Sequence, residues 1–299
     1  MGISLGATAI SGLKFGATDV ARVMLGTTEV FSAEWTPASL SNLNLWLDAQ
    51  YISGVPAEGD PVYSPPVDGT AISSWTCRAH PNHSLVQPTA TYQPVYQSNG
   101  IGSLPGIDFP DRNEFLYDAN LVIDAPIQVA AVVQINVTGA SQRYLFDGYN
   151  SSTERFLARY ELTNSDAIRM QTTIINEGDG QGTENVYGSG LATGTAAHIM
   201  WFSHGGDGQT AIVRKDGAQV ATGTLGQERM NGLTLGNSQM FSQDQTLTQL
   251  GLRGRIGEFV VSSGTQSSDA MEKTEGYLAH RWNLASVLPS NHPYKNAAP

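Results

Sequence analysis

Cys77, His80 and His83 stand at a C-x2-H-x2-H spacing, and a thiolate with two imidazoles is a donor set that zinc accepts. No fourth ligand is evident, and Pro81 and Asn82 mark a loop, so the stretch is read as a satisfied surface loop. Hydrolysis of a glycosidic bond requires two carboxylates flanking it. Glu258 stands alone before Phe259-Val260-Val261, while Glu154 and Glu161 lie in polar or turn surroundings, so no catalytic pair is assigned. Nor is there a Gly-x-Ser-x-Gly nucleophile, since Gly188-Ser189-Gly190 is one residue short. Gly178-Asp179-Gly180-Gln181-Gly182 lacks a following lysine and carries an acid that repels phosphate, which leaves a flexible loop. Asp108, Asp111 and Asp147, together with Asp179, carry oxygen donors of the kind calcium takes, without the order of an EF-hand.

Saccharide recognition uses an exposed aromatic ring surrounded by amide and carboxylate groups. Tyr149, Asn150, Tyr160 and Tyr187, with the polar stretch 176–185, are the candidates for that role. Trp46, Trp75, Trp201 and Trp282 sit within apolar patterns and are assigned to core packing. His280 and His292 are assigned to hydrogen bonds that fasten the C-terminal tail.

These residues are carried on 299 positions, enough for one large domain with an appendage. A net charge of −11 removes the basic field that nucleic-acid binding needs, so nucleic acid is not expected as a partner. Charged residues make up 14 %, against about 25 % in typical domains, and the 32 glycines suit many turns; both favour an all-β chain. A single cysteine excludes an internal disulfide. The most apolar stretch, 121–137, is interrupted by Asp124, Pro126, Gln128 and Gln134, short of the roughly 18 apolar residues of a membrane span. The N-terminus shows no secretory signal or lipid-anchor pattern, and a soluble chain without membrane insertion is expected.

The first 34 residues repeat a decad: Leu5-Gly6-Ala7-Thr8-Ala9-Ile10, Phe15-Gly16-Ala17-Thr18-Asp19-Val20 and Leu25-Gly26-Thr27-Thr28-Glu29-Val30, with Leu13 and Val23 between them. Gly-X after an apolar residue predicts a two-residue hairpin turn, so three tandem hairpins are expected over 1–34. Too short to enclose a core, they are expected to bury Leu5, Ile10, Leu13, Phe15, Val20, Val23, Leu25 and Val30 against another surface or in a homo-oligomer, preferably a trimer.

Over 35–299 the alternation predicts strands at 43–47, 106–109, 127–135, 144–146, 156–160, 167–173, 198–204, 211–215, 233–235 and 255–262. Asp147-Gly148, Asp207-Gly208 and Asp216-Gly217 predict hairpin turns. Ten strands call for two packed sheets. One helix is expected from Asp269, read as its cap with Glu272, through Trp282, and an extended tail after it over 284–294. The Pro- and Gly-rich stretch 53–66 reads as a long loop.

The segments Leu45-Trp46-Leu47-Asp48-Ala49, Ser74-Trp75, Gln93-Pro94-Val95-Tyr96, Leu104-Pro105-Gly106-Ile107-Asp108-Phe109 and Gly257-Glu258-Phe259 precede a distinctive ending. That ending is Glu275-Gly276-Tyr277-Leu278-Ala279-His280-Arg281-Trp282 with Leu288-Pro289-Ser290-Asn291-His292-Pro293-Tyr294. Over about 36–294 this series resembles the laminin-G or concanavalin A-like jelly rolls carried by tailed-bacteriophage virion proteins and some bacterial surface proteins. The Leu-Gly-x-Thr-x-Val decad is also similar to short repeats of phage virion proteins. The resemblance implies an antiparallel two-sheet sandwich, frequent sugar binding and in some members a calcium ion; otherwise no cofactor is expected. Concanavalin-like glucanases carry alternating acids on one strand, and no such strand is present here. The expectation is a non-enzymatic structural protein on the exterior of a phage particle, docked to other virion proteins by 1–34 and displaying a lectin-like domain toward host-surface polysaccharide. A capsid decoration protein without a ligand, and a glycan-processing enzyme on the same scaffold, are the alternatives.

Overall fold

A nine-residue run, Ile127–Ile135, is buried at every position. A strand buried on both faces needs cover on both, and this one lies between a second sheet and the single α-helix. The computed structural model describes residues 4–5, 8–9, 14–15, 18–19, 22–25, 28–32, 34–53, 65–80, 82–111, 113–136, 142–151, 154–161, 167–176, 180–188, 196–226, 229–238 and 251–299.

Six short strands come first: β1 (Ser4–Leu5), β2 (Thr8–Ala9), β3 (Lys14–Phe15), β4 (Thr18–Asp19), β5 (Arg22–Leu25) and β6 (Thr28–Ser32). Then follow β7 (Leu43–Asp48), β8 (Ser74–Thr76), β9 (Ser84–Val86), β10 (Val95–Ile101), β11 (Leu104–Phe109), β12 (Leu116–Ile123), β13 (Ile127–Ile135) and β14 (Gln142–Ser151). The series continues with β15 (Glu154–Glu161), β16 (Ala167–Asn176), β17 (Gly180–Gly188), β18 (Ala197–His204), β19 (Thr210–Lys215), β20 (Ala218–Thr224), β21 (Met230–Leu235) and β22 (Gly254–Ser263), and closes on α1 (Ser268–Arg281).

Two eight-stranded antiparallel sheets form a jelly-roll sandwich. The first runs β10-β11-β22-β13-β18-β19-β20, with β7 also on β22; the second runs β17-β16-β15-β14-β21-β12-β9-β8. Their facing residues build one core, including Phe109, Phe146, Phe156, Phe202 and Phe259. α1 lies on the outer face of the first sheet, over β13 and β18. The N-terminal strands pair β1 with β2, β3 with β4 and β5 with β6, and each pair is a two-stranded sheet of its own. Leu5, Phe15, Val23, Leu25 and Val30 lie in these ladders, while Ile10, Leu13 and Val20 lie outside the described residues. Most of the 53–66 stretch also lies outside them. Among the described residues no helix is long and apolar enough to cross a membrane.

All ten expected strands are present, several longer than their apolar runs. Asp216-Gly217 makes the expected turn, with φ of 52° and 80° between the paired Lys215 and Ala218. Asp147-Gly148 does not turn. Both lie inside β14, where a Cβ on Gly148 would stand 2.7 Å from Met230 Cγ and 2.9 Å from the Phe156 carbonyl oxygen. Glycine is required there for close approach, not for a left-handed φ. Gly180-Gln181-Gly182 is strand, paired residue by residue with Asn176, Ile175 and Ile174, so the loop reading of these residues is corrected; Asp179 lies outside the described residues.

The helix is capped by Ser267, whose side chain accepts from the Ala270 N–H at 3.1 Å, two residues before the expected cap. Asp269 sits in the first turn and pairs with Lys273 at 2.8 Å, favourable at the positive end of the helix. The tail is not extended. It folds through a 3-10 turn at Ala285–Val287, and the Lys295 ammonium donates to the carbonyls of Ala285, Ser286 and Leu288 at 2.7–2.9 Å. Tyr277, Leu278 and Trp282 are buried. His280 Nε2 meets the Tyr294 carbonyl at 2.8 Å, and His292 Nδ1 accepts from the Tyr294 N–H at 3.2 Å. These contacts join the end of the helix to the tail.

Glu258 is fully buried and, contrary to expectation, does not stand alone: β22 sets it opposite the equally buried Asp48 of β7. Its two oxygens accept from the indole N–H groups of Trp46 and Trp282, each at 2.6 Å. Asp48 accepts from Arg78 at 2.7 Å and from Arg281 at 2.5 Å. Burial and the adjacent Asp48 push the Glu258 carboxyl up to about 7, against the pull of Arg281 and the two indoles. An acid whose pKa rises on folding stabilises the native state below its unfolded pKa, here 4.5, and that contribution is lost as pH rises through about 7. Glu258→Gln removes this titration. Its stability deficit, measured by urea unfolding, is expected to shrink by about 2–3 kcal/mol from below pH 4.5 to above pH 7, and a deficit constant with pH would refute the assignment.

Candidate functional site

On β15 the side chains alternate strictly. Phe156, Ala158 and Tyr160 enter the core, so Arg155, Leu157, Arg159 and Glu161 lie on the opposite face of the sheet, where Leu157, Arg159 and Glu161 are themselves buried. Register then brings their neighbours onto the same face: Arg169 and Gln171 from β16, Asn185 and Tyr187 from β17, Tyr144 and Asp147 from β14, Thr234 from β21.

The chemistry of this face is that of guanidinium groups. Arg155 holds Asp147 in a two-pronged pair, Nε to Oδ1 at 2.8 Å and Nη2 to Oδ2 at 2.6 Å. Arg159 and Arg169 stand directly opposite each other in the ladder, an unfavourable placement for like charges. Glu161 resolves it, since its Oε1 accepts from Arg159 at 2.7 Å and 3.0 Å and from Arg169 at 2.6 Å. Arg159 also donates to the Tyr144 hydroxyl at 2.7 Å, and Arg169 to Asn185 Oδ1 at 2.5 Å. The Arg169 guanidinium lies 5.1 Å from the ring centre of Tyr187, which is 46 % exposed. Burial raises the Glu161 carboxyl, but the hydrogen bonds and charges of Arg169 and Arg159 outweigh it and hold the group below its ordinary range. Burial likewise lowers Arg155, and Asp147 more than reverses it.

Among the described residues three guanidinium groups therefore face two carboxylates on this face, within a chain of net charge −11. Two buried polar atoms on the same face, Gln171 Oε1 and Thr234 Oγ1, have no hydrogen-bond partner. Buried polar atoms left in this way mark a place where something else binds or where water sits.

Of the expected saccharide residues, Tyr187 lies on this face. Tyr149 and Asn150 lie on β14, Tyr149 opposite Arg155, with side chains outside the described residues. Tyr160 is 1 % exposed in the core and offers no ring to a ligand; its alternation with Arg159 and Glu161 turns it inward. The acidic candidates are not brought together. Asp108, in the first sheet, lies 3.5 Å from Arg255, and its carboxyl is raised by burial against that charge. Asp111 is exposed beyond β11, and Asp147 is in the second sheet, saturated by Arg155. Cys77 is buried, and its sulfur accepts from the N–H groups of Trp46 and His80 at 3.2 Å and 3.3 Å. His80 bonds the Leu43 carbonyl and His83 meets Asp118, so the three do not converge. Among the described residues no group of three or more His, Cys, Asp or Glu could hold a metal ion.

Sequence reasoning missed the arginines. Arg155 and Arg159 at a spacing of four on a strand share a face, but only register shows that Arg169 joins them.

No protein-family model matches the chain, and no curated protein matches it. Among solved structures it is similar to a native heptameric SAP-like pentraxin from Limulus polyphemus, at 10 % identity over 56 % of this chain and 76 % of that one, with TM-score 0.41. It is also similar to the CBM40 module of a Ruminococcus gnavus IT-sialidase bound to α2,3-sialyllactose, at 14 % identity over 55 % and 92 %, with TM-score 0.37. A third is a GH16 protein of a Bacteroides ovatus mixed-linkage glucan locus in complex with a product, at 10 % identity over 58 % and 86 %, with TM-score 0.37.

Asp147→Asn keeps the shape at the pair and removes the charge that Arg155 requires. A loss of about 3–5 kcal/mol is expected in urea unfolding, with a smaller loss for the double variant Asp147→Leu/Arg155→Leu. Equal losses would mean that the pair is not what the single variant breaks.

Proposed function

We propose that this chain is a non-enzymatic saccharide-binding jelly roll whose ligand face is the outer surface of β14–β17, and that it prefers saccharides bearing carboxylates. The observation that carries this reading is the cluster of three guanidinium groups to two carboxylates, among the described residues, on one sheet face beside Tyr187, with Gln171 Oε1 and Thr234 Oγ1 left without partners. An acidic sugar meets each of these needs: its carboxylate matches a guanidinium fork, its hydroxyls donate to the open acceptors, and its ring packs on tyrosine. A binding rather than hydrolytic role is supported by the state of the carboxylates. Asp147 and Glu161 are held by arginines, and Asp48 and Glu258 are shut in the core. The solved structures named above include one bound to a sialylated sugar and one bound to a glucan product, which agrees with this reading without carrying it.

Binding of oligosaccharides ending in glucuronic or sialic acid, compared with neutral counterparts by calorimetry, tests this. The acidic ligands should bind more tightly, and less so as salt is raised. Arg169→Ala should weaken binding at least tenfold. Tyr187→Ala should weaken it severalfold while moving stability by no more than about 0.5 kcal/mol, as an exposed side chain does. Equal binding of neutral and acidic sugars, or full binding by Arg169→Ala, would overturn the preference.

The same proposal extends to the N-terminal ladders as a docking and oligomerisation segment of a virion exterior protein. An isolated two-stranded hairpin is marginal in water, and none of β1–β6 joins either eight-stranded sheet. Many copies on a particle would turn weak sugar contacts into firm attachment. Light scattering on the full chain should give three times the 31.9 kDa chain mass, and deletion of residues 1–34 a monomer. A monomeric full chain would refute the oligomerisation role.

A further inference from the structure

On the opposite side of the sandwich, where α1 meets the first sheet, a second opening of about 380 Å³ lies between β13, β18, β19 and the start of the helix. It is near the lower end of the roughly 300–1,000 Å³ usual for ligand sites, the size for one small ring rather than a long chain. Ladder register places its lining. Gln128 stands opposite Ser203, and Ser203 opposite Ile212, on the face that carries Trp201. Arg214, opposite Trp201 on that same face, reaches Glu275 of α1 at 2.7 Å, which fixes this as the helix side of the sheet.

The walls divide into two kinds. Trp201, Ile212 and Met271 supply apolar surface. The remainder is hydroxyl and amide, chiefly Gln128, Ser203, Thr210 and Ser268, and no charged or histidine side chain is among the lining residues. Gln128 is 3 % exposed, and its Nε2 has no hydrogen-bond partner. A buried amide N–H without an acceptor costs about 1–3 kcal/mol, so its retention at the wall of an opening calls for an acceptor supplied from outside.

We infer that this opening is a second saccharide site, distinct from the arginine face, that takes one neutral pyranose unit. A pyranose presents apolar C–H surface on one face and hydroxyls around its rim, the same division as these walls. The lack of charge selects against the acidic sugars proposed for the other face. A ring or hydroxyl oxygen accepts from Gln128 Nε2.

Saturation-transfer NMR and calorimetry on the full chain carrying Arg169→Ala, so that the other face is weakened, test the site with methyl glucoside, methyl galactoside and methyl mannoside, and with glucuronic acid as the charged control. At least one neutral glycoside should bind saturably at millimolar concentration and glucuronic acid should not. Gln128→Leu should weaken that binding at least tenfold, with an unfolding midpoint unchanged or raised because the unpaired donor is gone. Thr210→Val, a change at a strand end, should weaken it severalfold and serves if Gln128→Leu does not fold. Failure of all three glycosides to bind, or undiminished binding by Gln128→Leu and Thr210→Val, would overturn the inference. Neither result bears on the arginine face, whose test uses acidic sugars and the unaltered Arg169.

Discussion

A single buried carboxylate ties the ends of the sandwich together. Glu258 takes one indole N–H from the first strand of the domain and one from the end of its helix, across 212 and 24 residues of chain. A hydrogen bond contributes about 0.5–1.5 kcal/mol net, and losing either of these would leave an oxygen unpaired in the core. Asp48 beside it adds a second negative charge, which Arg78 and Arg281 answer. Arg78 also stacks on Trp46 and Tyr51, with 4.0 Å and 4.3 Å to the ring centres. The pairing of β7 with β22 and the docking of the helix end therefore share one acceptor.

That closure decides which surfaces remain for ligands. Because α1 and the tail cover the outer face of the first sheet, β13 can be buried on both sides, and an opening beside the start of the helix is left there. Among the described residues no helix covers the second sheet. Its outer face is accordingly built of residues that satisfy one another: arginine with aspartate, arginine with glutamate, arginine with tyrosine.

The parts of this arrangement legible in the sequence are those that depend on local pattern. The β13 run was readable because seven of its nine residues are apolar, with only Gln128 and Gln134 between them, and Asp216-Gly217 because both residues take a positive φ. Asp147-Gly148 carries the same dipeptide for another reason, a side chain that must meet Arg155 next to a backbone that must approach Met230. The tryptophans were legible as core, but their common acceptor was not, since Trp46, Glu258 and Trp282 are adjacent only after both ends of the domain have folded. Tyrosines and asparagines in polar stretches mark saccharide candidates only by composition. Tyr160 shows the weakness of that criterion, since one step along a strand exchanges solvent for core.

The two proposed sites differ in the one property that the sequence-wide charge conceals. A chain of net charge −11 repels anions at long range, and beyond about 8–10 Å that repulsion is screened in physiological salt. Close to the second sheet the local balance governs, and there, among the described residues, three guanidinium groups meet two carboxylates. Arg159 and Arg169 are held opposite each other only because Glu161 bridges them, so an incoming carboxylate competes for donors already occupied. It gains from their fixed geometry and loses what it takes from Glu161, which limits affinity per copy. A surface of this kind suits attachment through many weak contacts rather than one strong one.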